Sequence, residues 1–116
     1  MQARLTKIIV LSVSLWAAFS VWSKPLEFHI TLKDHVFTPS QITIPANTKV
    51  KLIIHNEDDS IEEFDSFDLN REKVIFPNKK GRIFIGPLPA GRYEYFGEYF
   101  PKTARGIVIV EDSNVN

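Results

Sequence analysis

From residue 26 the chain alternates in character: Leu26, Phe28, Ile30 and Leu32 are apolar, while Glu27, His29, Thr31 and Lys33 between them are polar. A period of two predicts a strand with one buried face, because successive side chains leave a strand on opposite sides. Seven further short apolar runs follow, at 41–44, 49–55, 64–69, 72–76, 81–85, 91–97 and 106–110. Turn formers separate them: Thr38-Pro39-Ser40, Pro45-Ala46-Asn47, Pro77-Asn78 and Gly86-Pro87-Leu88-Pro89-Ala90-Gly91. No stretch after residue 23 keeps a 3.6-residue apolar period for as many as 11 residues. Short strands at this density predict an all-β, two-sheet antiparallel sandwich. Asn56–Ile61 and Glu98–Arg105 break the rhythm and predict loops, the parts of a rigid sandwich that usually carry function.

The first 23 residues follow a different pattern. Arg4 and Lys7 precede a mostly apolar stretch, Ile8–Phe19, and small residues at Ser20 and Ser23 precede Lys24-Pro25. This is the order of a secretory signal, with cleavage expected after Ser23 or after Ser20. The apolar segment Ile8–Trp22 has 15 residues, interrupted by serines, against the ~20 that cross a bilayer, which favours a cleaved signal over a retained anchor. The expectation is a signal peptide at 1–23, a domain at 24–116 and an exported, periplasmic protein.

Charge and composition narrow the chemistry. The chain carries 14 Lys plus Arg and 14 Asp plus Glu, and because Arg4 and Lys7 fall in the leader, the remainder is mildly acidic. No nucleic-acid partner is expected, since phosphate neutralisation needs a basic surface. With no cysteine, disulfides, thiolate catalysis and thiolate metal sites are excluded together. An apolar fraction of 44% must therefore supply the core unaided.

Seven carboxylates crowd residues 57–68 without a basic residue: Glu57, Asp58, Asp59, Glu62, Glu63, Asp65 and Asp68. Tyr93, Tyr95, Phe96, Tyr99 and Phe100 form an aromatic stretch in which alternation sends Tyr93 and Tyr95 to one face and Phe96 to the other. His29 and His55 fall on the polar sides of their strands and read as surface groups, and Lys79, Lys80 and Arg82 read as a solvated edge. No phosphate loop, nucleophile elbow or Ser/His/Asp arrangement can be assembled, and Ser66 lies in a strand with no neighbouring histidine.

The succession Phe37-Thr38-Pro39, Ile42-Thr43-Ile44-Pro45-Ala46-Asn47, Val50–Asn56, Gly91-Arg92-Tyr93-Glu94-Tyr95 and Gly106–Val110 resembles the cupredoxin fold, which implies a Greek-key β-sandwich of seven to eight strands. More narrowly, Glu62-Glu63-Phe64-Asp65-Ser66, Ile85-Gly86-Pro87-Leu88, Phe96-Gly97-Glu98 and Thr103-Ala104-Arg105-Gly106 resemble the EfeO-type cupredoxin-like domain, found in small exported proteins that accompany bacterial ferrous-iron uptake permeases. That resemblance implies a metal-uptake role, with an iron or copper ion as the bound species and an iron-uptake protein of the periplasm or inner membrane as the partner.

In electron-transfer cupredoxins the resemblance implies copper held by two His, a Cys and a Met. Counting along the motifs places those positions near Glu62 or Glu63, at Gly97, at Phe100, and near Ala104 or Arg105, so none of the four ligands is present and no type 1 copper is expected. In the iron-associated group a His often stands where this chain has Phe100. The fold would bring Glu98 beside the loop of Glu62 and Glu63, a set of oxygen ligands suited to ferrous iron, manganese or calcium. His35 before the Phe-Thr-Pro motif would add a nitrogen suited to iron or copper(II). Glu62, Glu63, Glu98 and His35 are thus the candidate metal ligands, and Tyr99 and Phe100 the candidate partner contacts. The alternative is a metal-free cupredoxin-fold module that binds a partner protein or permease. An enzymatic role reduces to metal-dependent ferrous oxidation, and the expectation leans against it.

Overall fold

The alternation that begins at Leu26 becomes strand β1 (Leu26–Lys33), whose Ile30 and Leu32 are fully buried while Glu27, His29 and Lys33 face solvent. The computed structural model describes residues 3–4, 7–14 and 24–112. Eight more strands follow: β2 (Val36–Thr38), β3 (Gln41–Pro45), β4 (Val50–Asn56), β5 (Glu62–Ser66), β6 (Arg71–Ile75), β7 (Lys80–Ile85), β8 (Gly91–Gly97) and β9 (Arg105–Glu111). They form a four-stranded sheet in the order β2-β1-β4-β7 and a five-stranded sheet in the order β3-β9-β8-β5-β6. The protein is all-β, and the described residues include no helix.

Two expectations are corrected. The sheets are mixed rather than antiparallel, because β1 runs parallel to β4 and β3 parallel to β9. Nine strands replace seven to eight, the addition being β2, which pairs with β1 across the two-residue turn Asp34-His35. Both turn residues have positive φ, 52° and 60°, the geometry whose twist matches that of a tight hairpin. A boundary also moves: the run expected at 64–69 is a strand at Glu62–Ser66, so Glu62 and Glu63 belong to β5 and not to the loop before it.

The inward faces of the two sheets close on Phe37, Phe64 and Tyr95, whose ring centroids lie 4.9–6.4 Å apart. Aliphatic residues from both sheets surround them, among them Ile30, Leu52, Ile54, Ile85 and Val108. At one edge Arg71 Nε donates to the Phe84 carbonyl of β7 at 2.9 Å and ties the sheets together. At one end of the sandwich the Asn56 side chain, 2% exposed, donates toward the carbonyls of Ser60, Ile75 and Phe76 and accepts from the Asp58 amide. That bracket fixes the acidic loop between β4 and β5.

The expected signal segment lies largely outside the described residues. Of it, residues 7–14 have no regular secondary structure, and Ile8–Leu11 and Val13 are exposed. No helix among the described residues is long and apolar enough to cross a membrane.

Candidate metal centre

Strand β5 sorts its carboxylates by alternation. Glu62, Phe64 and Ser66 point into the sandwich, while Glu63 and Asp65 point to the outer face of the five-stranded sheet. Ser66 has a structural role: its hydroxyl donates to the Glu94 carbonyl at 2.6 Å and accepts from the Leu69 amide at 3.0 Å.

Glu62 is 1% exposed. Its Oε1 accepts from the amides of Glu63 and Tyr99, each at 2.9 Å, so one buried oxygen joins β5 to the loop after β8. Its Oε2 is buried with no hydrogen-bond partner among the described residues. The carboxylate rests on Gly97, where an added Cβ would stand 2.5 Å from Glu62 Oε2 and 2.8 Å from the Ala104 Cβ. Gly97, Phe100 and Ala104 are in turn linked through their backbone, Gly97 N to Ala104 O at 2.8 Å and Ala104 N to Phe100 O at 2.9 Å. The positions that counting assigned to copper ligands do cluster, but they hold a glutamate, a glycine, a phenylalanine and an alanine. A thiolate-ligated copper does not fit them: no soft donor is present, and the Glu62 carboxylate fills the space a side chain at residue 97 would need.

On the outer face Glu63, Asp65 and Glu98 come together, each offering an oxygen within 4.8 Å of the others. The Glu98 amide donates to the Glu63 carbonyl at 2.9 Å, which brings the loop after β8 alongside β5. Oxygens on one ion at 2.0–2.6 Å lie no more than about 5 Å apart, so the spacing is that of a common ligand shell. Among the described residues none of the three forms a salt bridge. Arg105, a nearby cation in sequence, lies over the Phe96 ring, 6.0 Å from its centroid.

Asp65 is the buried member, 8% exposed, and its Oδ1 has no partner among the described residues. Burial first, then a hydrogen bond with Glu98 and the charges of Glu63, Glu98 and Glu72, push its pKa up to about 7. Glu72 stands opposite Asp65 on β6. Around neutrality the group therefore takes up a proton.

His35 faces elsewhere. Its ring stacks on Phe100 with centroids 3.5 Å apart at 12°, and its Nδ1 is 3.4 Å from Asp58 Oδ2. Asp58 also accepts from the amides of Asp34 and His35, at 2.6 and 3.0 Å, and so holds the β1–β2 turn. His35, Tyr99 and Phe100 line an open cavity of about 380 Å³ with Asp34, Pro101, Lys102 and Thr103. Tyr99 is 51% exposed at its rim, while Phe100 is half-buried against the core.

The structure thus brings together Glu63 and Glu98 of the four candidate ligands, turns Glu62 inward, places His35 against Phe100 and Asp58, and adds Asp65. The signal for Asp65 was present: alternation carried back from Phe64 to Glu62 puts Glu63 and Asp65 on one face. No sequence pattern marks Asp58 as the clamp of the β1–β2 turn.

A family model described as a cupredoxin-like domain matches residues 6–110. An uncharacterized protein of Rickettsia prowazekii (strain Madrid E) is 51% identical over 87 residues, which span 75% of this chain and 70% of that one. The fold is similar to auracyanin A, a blue copper protein of Chloroflexus aurantiacus, with a TM-score of 0.64 and 14% identity over 76% of this chain and 100% of that one. It is also similar to the metal-binding domain of the Cu(I)-exporting P-type ATPase CopA of Streptococcus pneumoniae D39, with a TM-score of 0.64 and 16% identity over 74% and 85% of the two chains. At such identities the likeness shows the fold alone.

Proposed function

We propose, from the premise that this chain belongs to the cupredoxin-like domain family, that it is an exported, periplasmic accessory protein of a metal-uptake system, with ferrous iron as its cargo. Glu63, Asp65 and Glu98 hold the cation, and Glu62 positions them by binding the amides of Glu63 and Tyr99 from inside the sandwich. The observation that carries this reading is Asp65: a buried carboxylate with an unpartnered oxygen inside a group of three acids. Carboxylate oxygens favour hard or borderline divalent ions over copper(I), and the EfeO-type order of motifs favours iron among them. Ionisation of Asp65 near neutrality gives the site a means of release, since a proton and the cation compete for the same oxygens.

The test is calorimetric titration of the whole chain with ferrous iron under anaerobic conditions, and with manganese(II), at pH 8 and pH 5.5. Binding at pH 8 that weakens at pH 5.5 and is lost in the Glu63→Gln/Asp65→Asn/Glu98→Gln variant is expected. Equal binding by that variant sinks the reading.

The exposed Tyr99 beside the cavity favours a second role on the same molecule, docking of the iron-uptake partner. Under a purely metal-free docking function, partner capture would survive both chelation and the triple substitution and would fall with Tyr99→Ala.

A further inference from the structure

The outer face of the four-stranded sheet carries an arrangement independent of the carboxylate group. β1 and β4 run parallel with His29 opposite Ile53 and Thr31 opposite His55, so the two histidines are diagonal neighbours on the same side of adjacent strands. Their rings meet: His29 Nδ1 and His55 Nε2 are 2.9 Å apart, with centroids 5.2 Å apart and planes inclined by 33°. The other nitrogen of His29, Nε2, lies 3.7 Å from Glu27 Oε2, and Lys51 Nζ reaches the second oxygen of Glu27 at 3.3 Å. A carboxylate beside Nε2 favours the proton on that nitrogen and leaves the Nδ1 lone pair directed at His55.

We propose that His29 and His55 form a two-imidazole site for copper(II) or nickel(II). Metal–nitrogen bonds of 2.0–2.1 Å at a right angle place two ligand nitrogens about 2.8–3.0 Å apart, whereas a tetrahedral angle requires about 3.3–3.4 Å. The observed 2.9 Å is the length of an N–H···N hydrogen bond between the rings, and it matches the nitrogen separation of a square-planar or octahedral ion more closely than that of zinc. Loading requires the proton shared by the two rings to move to His55 Nδ1 and both rings to turn, so that the two freed lone pairs converge on the ion instead of facing one another. Water completes the shell, since the His29 side chain is 55% exposed.

The surrounding charges are mixed. Partial desolvation, then Lys80 and His29, hold the His55 pKa below the ordinary histidine value against the opposing Glu57. Lys80 pairs in register with His55 and Arg82 with Ile53, so β7 sets positive charge beside the site, while Glu27 and Glu57 offset it. The site lies on the opposite sheet from Glu63, Asp65 and Glu98, so either can fail without the other.

The test is copper(II) titration of the whole chain, carrying no polyhistidine tag, at pH 7.4, read by calorimetry and by electron paramagnetic resonance. One copper per chain with nitrogen coupling from two imidazoles is expected, weakened at least about tenfold in His29→Ala and in His55→Ala. The His35→Ala and Glu63→Gln/Asp65→Asn/Glu98→Gln variants should retain the nitrogen-coupled signal. Because both imidazoles lie on the outer face, near-ultraviolet dichroism of their alanine variants should match the parent. Unchanged affinity and unchanged nitrogen coupling in the His29→Ala/His55→Ala double variant overturn the proposal.

Discussion

Asp65→Asn isolates the buried carboxylate with almost no change of shape. In the folded protein Asp65 titrates at about 7, against roughly 3.9 for an unperturbed aspartate. Between those values the folded state holds a proton that the unfolded chain has released, so the contribution to stability is complete below pH 4 and is lost as pH rises through 7. The interval sets a ceiling of ~4 kcal/mol, and sharing of the proton with Glu98 brings the expected loss to about 1–4 kcal/mol. An asparagine cannot ionise. Urea unfolding curves at pH 4 to 9 should therefore show the variant and the parent close together at pH 4 and diverging as pH rises, with the variant more stable at pH 8–9 by about 1–4 kcal/mol. A bound cation at 100 times its dissociation constant should return ~2.7 kcal/mol to the parent at pH 8 and nothing to the variant. If the two proteins keep the same difference in stability across the whole range, Asp65 is not the group titrating near neutrality, and the proton–cation competition drawn from it is wrong.

Two further substitutions probe the frame that holds the site. Asn56→Ala removes a buried side chain that serves the carbonyls of Ser60, Ile75 and Phe76 and the amide of Asp58, and should cost about 2–4 kcal/mol in chemical denaturation; faster hydrogen exchange at the Asp34 and His35 amides, both held by Asp58, would trace the loss to that loop. Gly97→Cys restores the residue type of a blue-copper site but drives its Cβ into the Glu62 carboxylate and Ala104, so it should destabilise by about 1–3 kcal/mol and show no intense thiolate-to-copper absorption with copper(II).

The sandwich was legible because its signal is local: alternation in Leu26–Lys33 and Gly91–Gly97 and the turn formers between the runs mark strands wherever one face is buried. Pairing is not local. Nothing in Leu26–Lys33 says that its neighbour is the parallel Val50–Asn56, and β2 has three residues, too few for a period to show. Asp65 owes its titration to burial and to residues far along the chain, Glu98 above all, which only the fold brings to it.

The acidic pair Glu62-Glu63 shows how one local rule divides two like residues. Read as a loop, the pair offers both carboxylates to one ion; as the opening of a strand, it sends them to opposite faces. The inward carboxylate fills the space that a side chain at residue 97 would need, and it satisfies two backbone amides there. Its neighbour joins Asp65 and Glu98 outside, where the carboxylate oxygens meet solvent. Under the proposed function, a chain without a thiolate binds its metal on the outside of the sheet and with hard donors. Interchange of the two roles would need a one-residue slip of β5, which would also expel Phe64 from its contact with Phe37 and Tyr95. The aromatic core thus fixes which glutamate joins the outer carboxylate group.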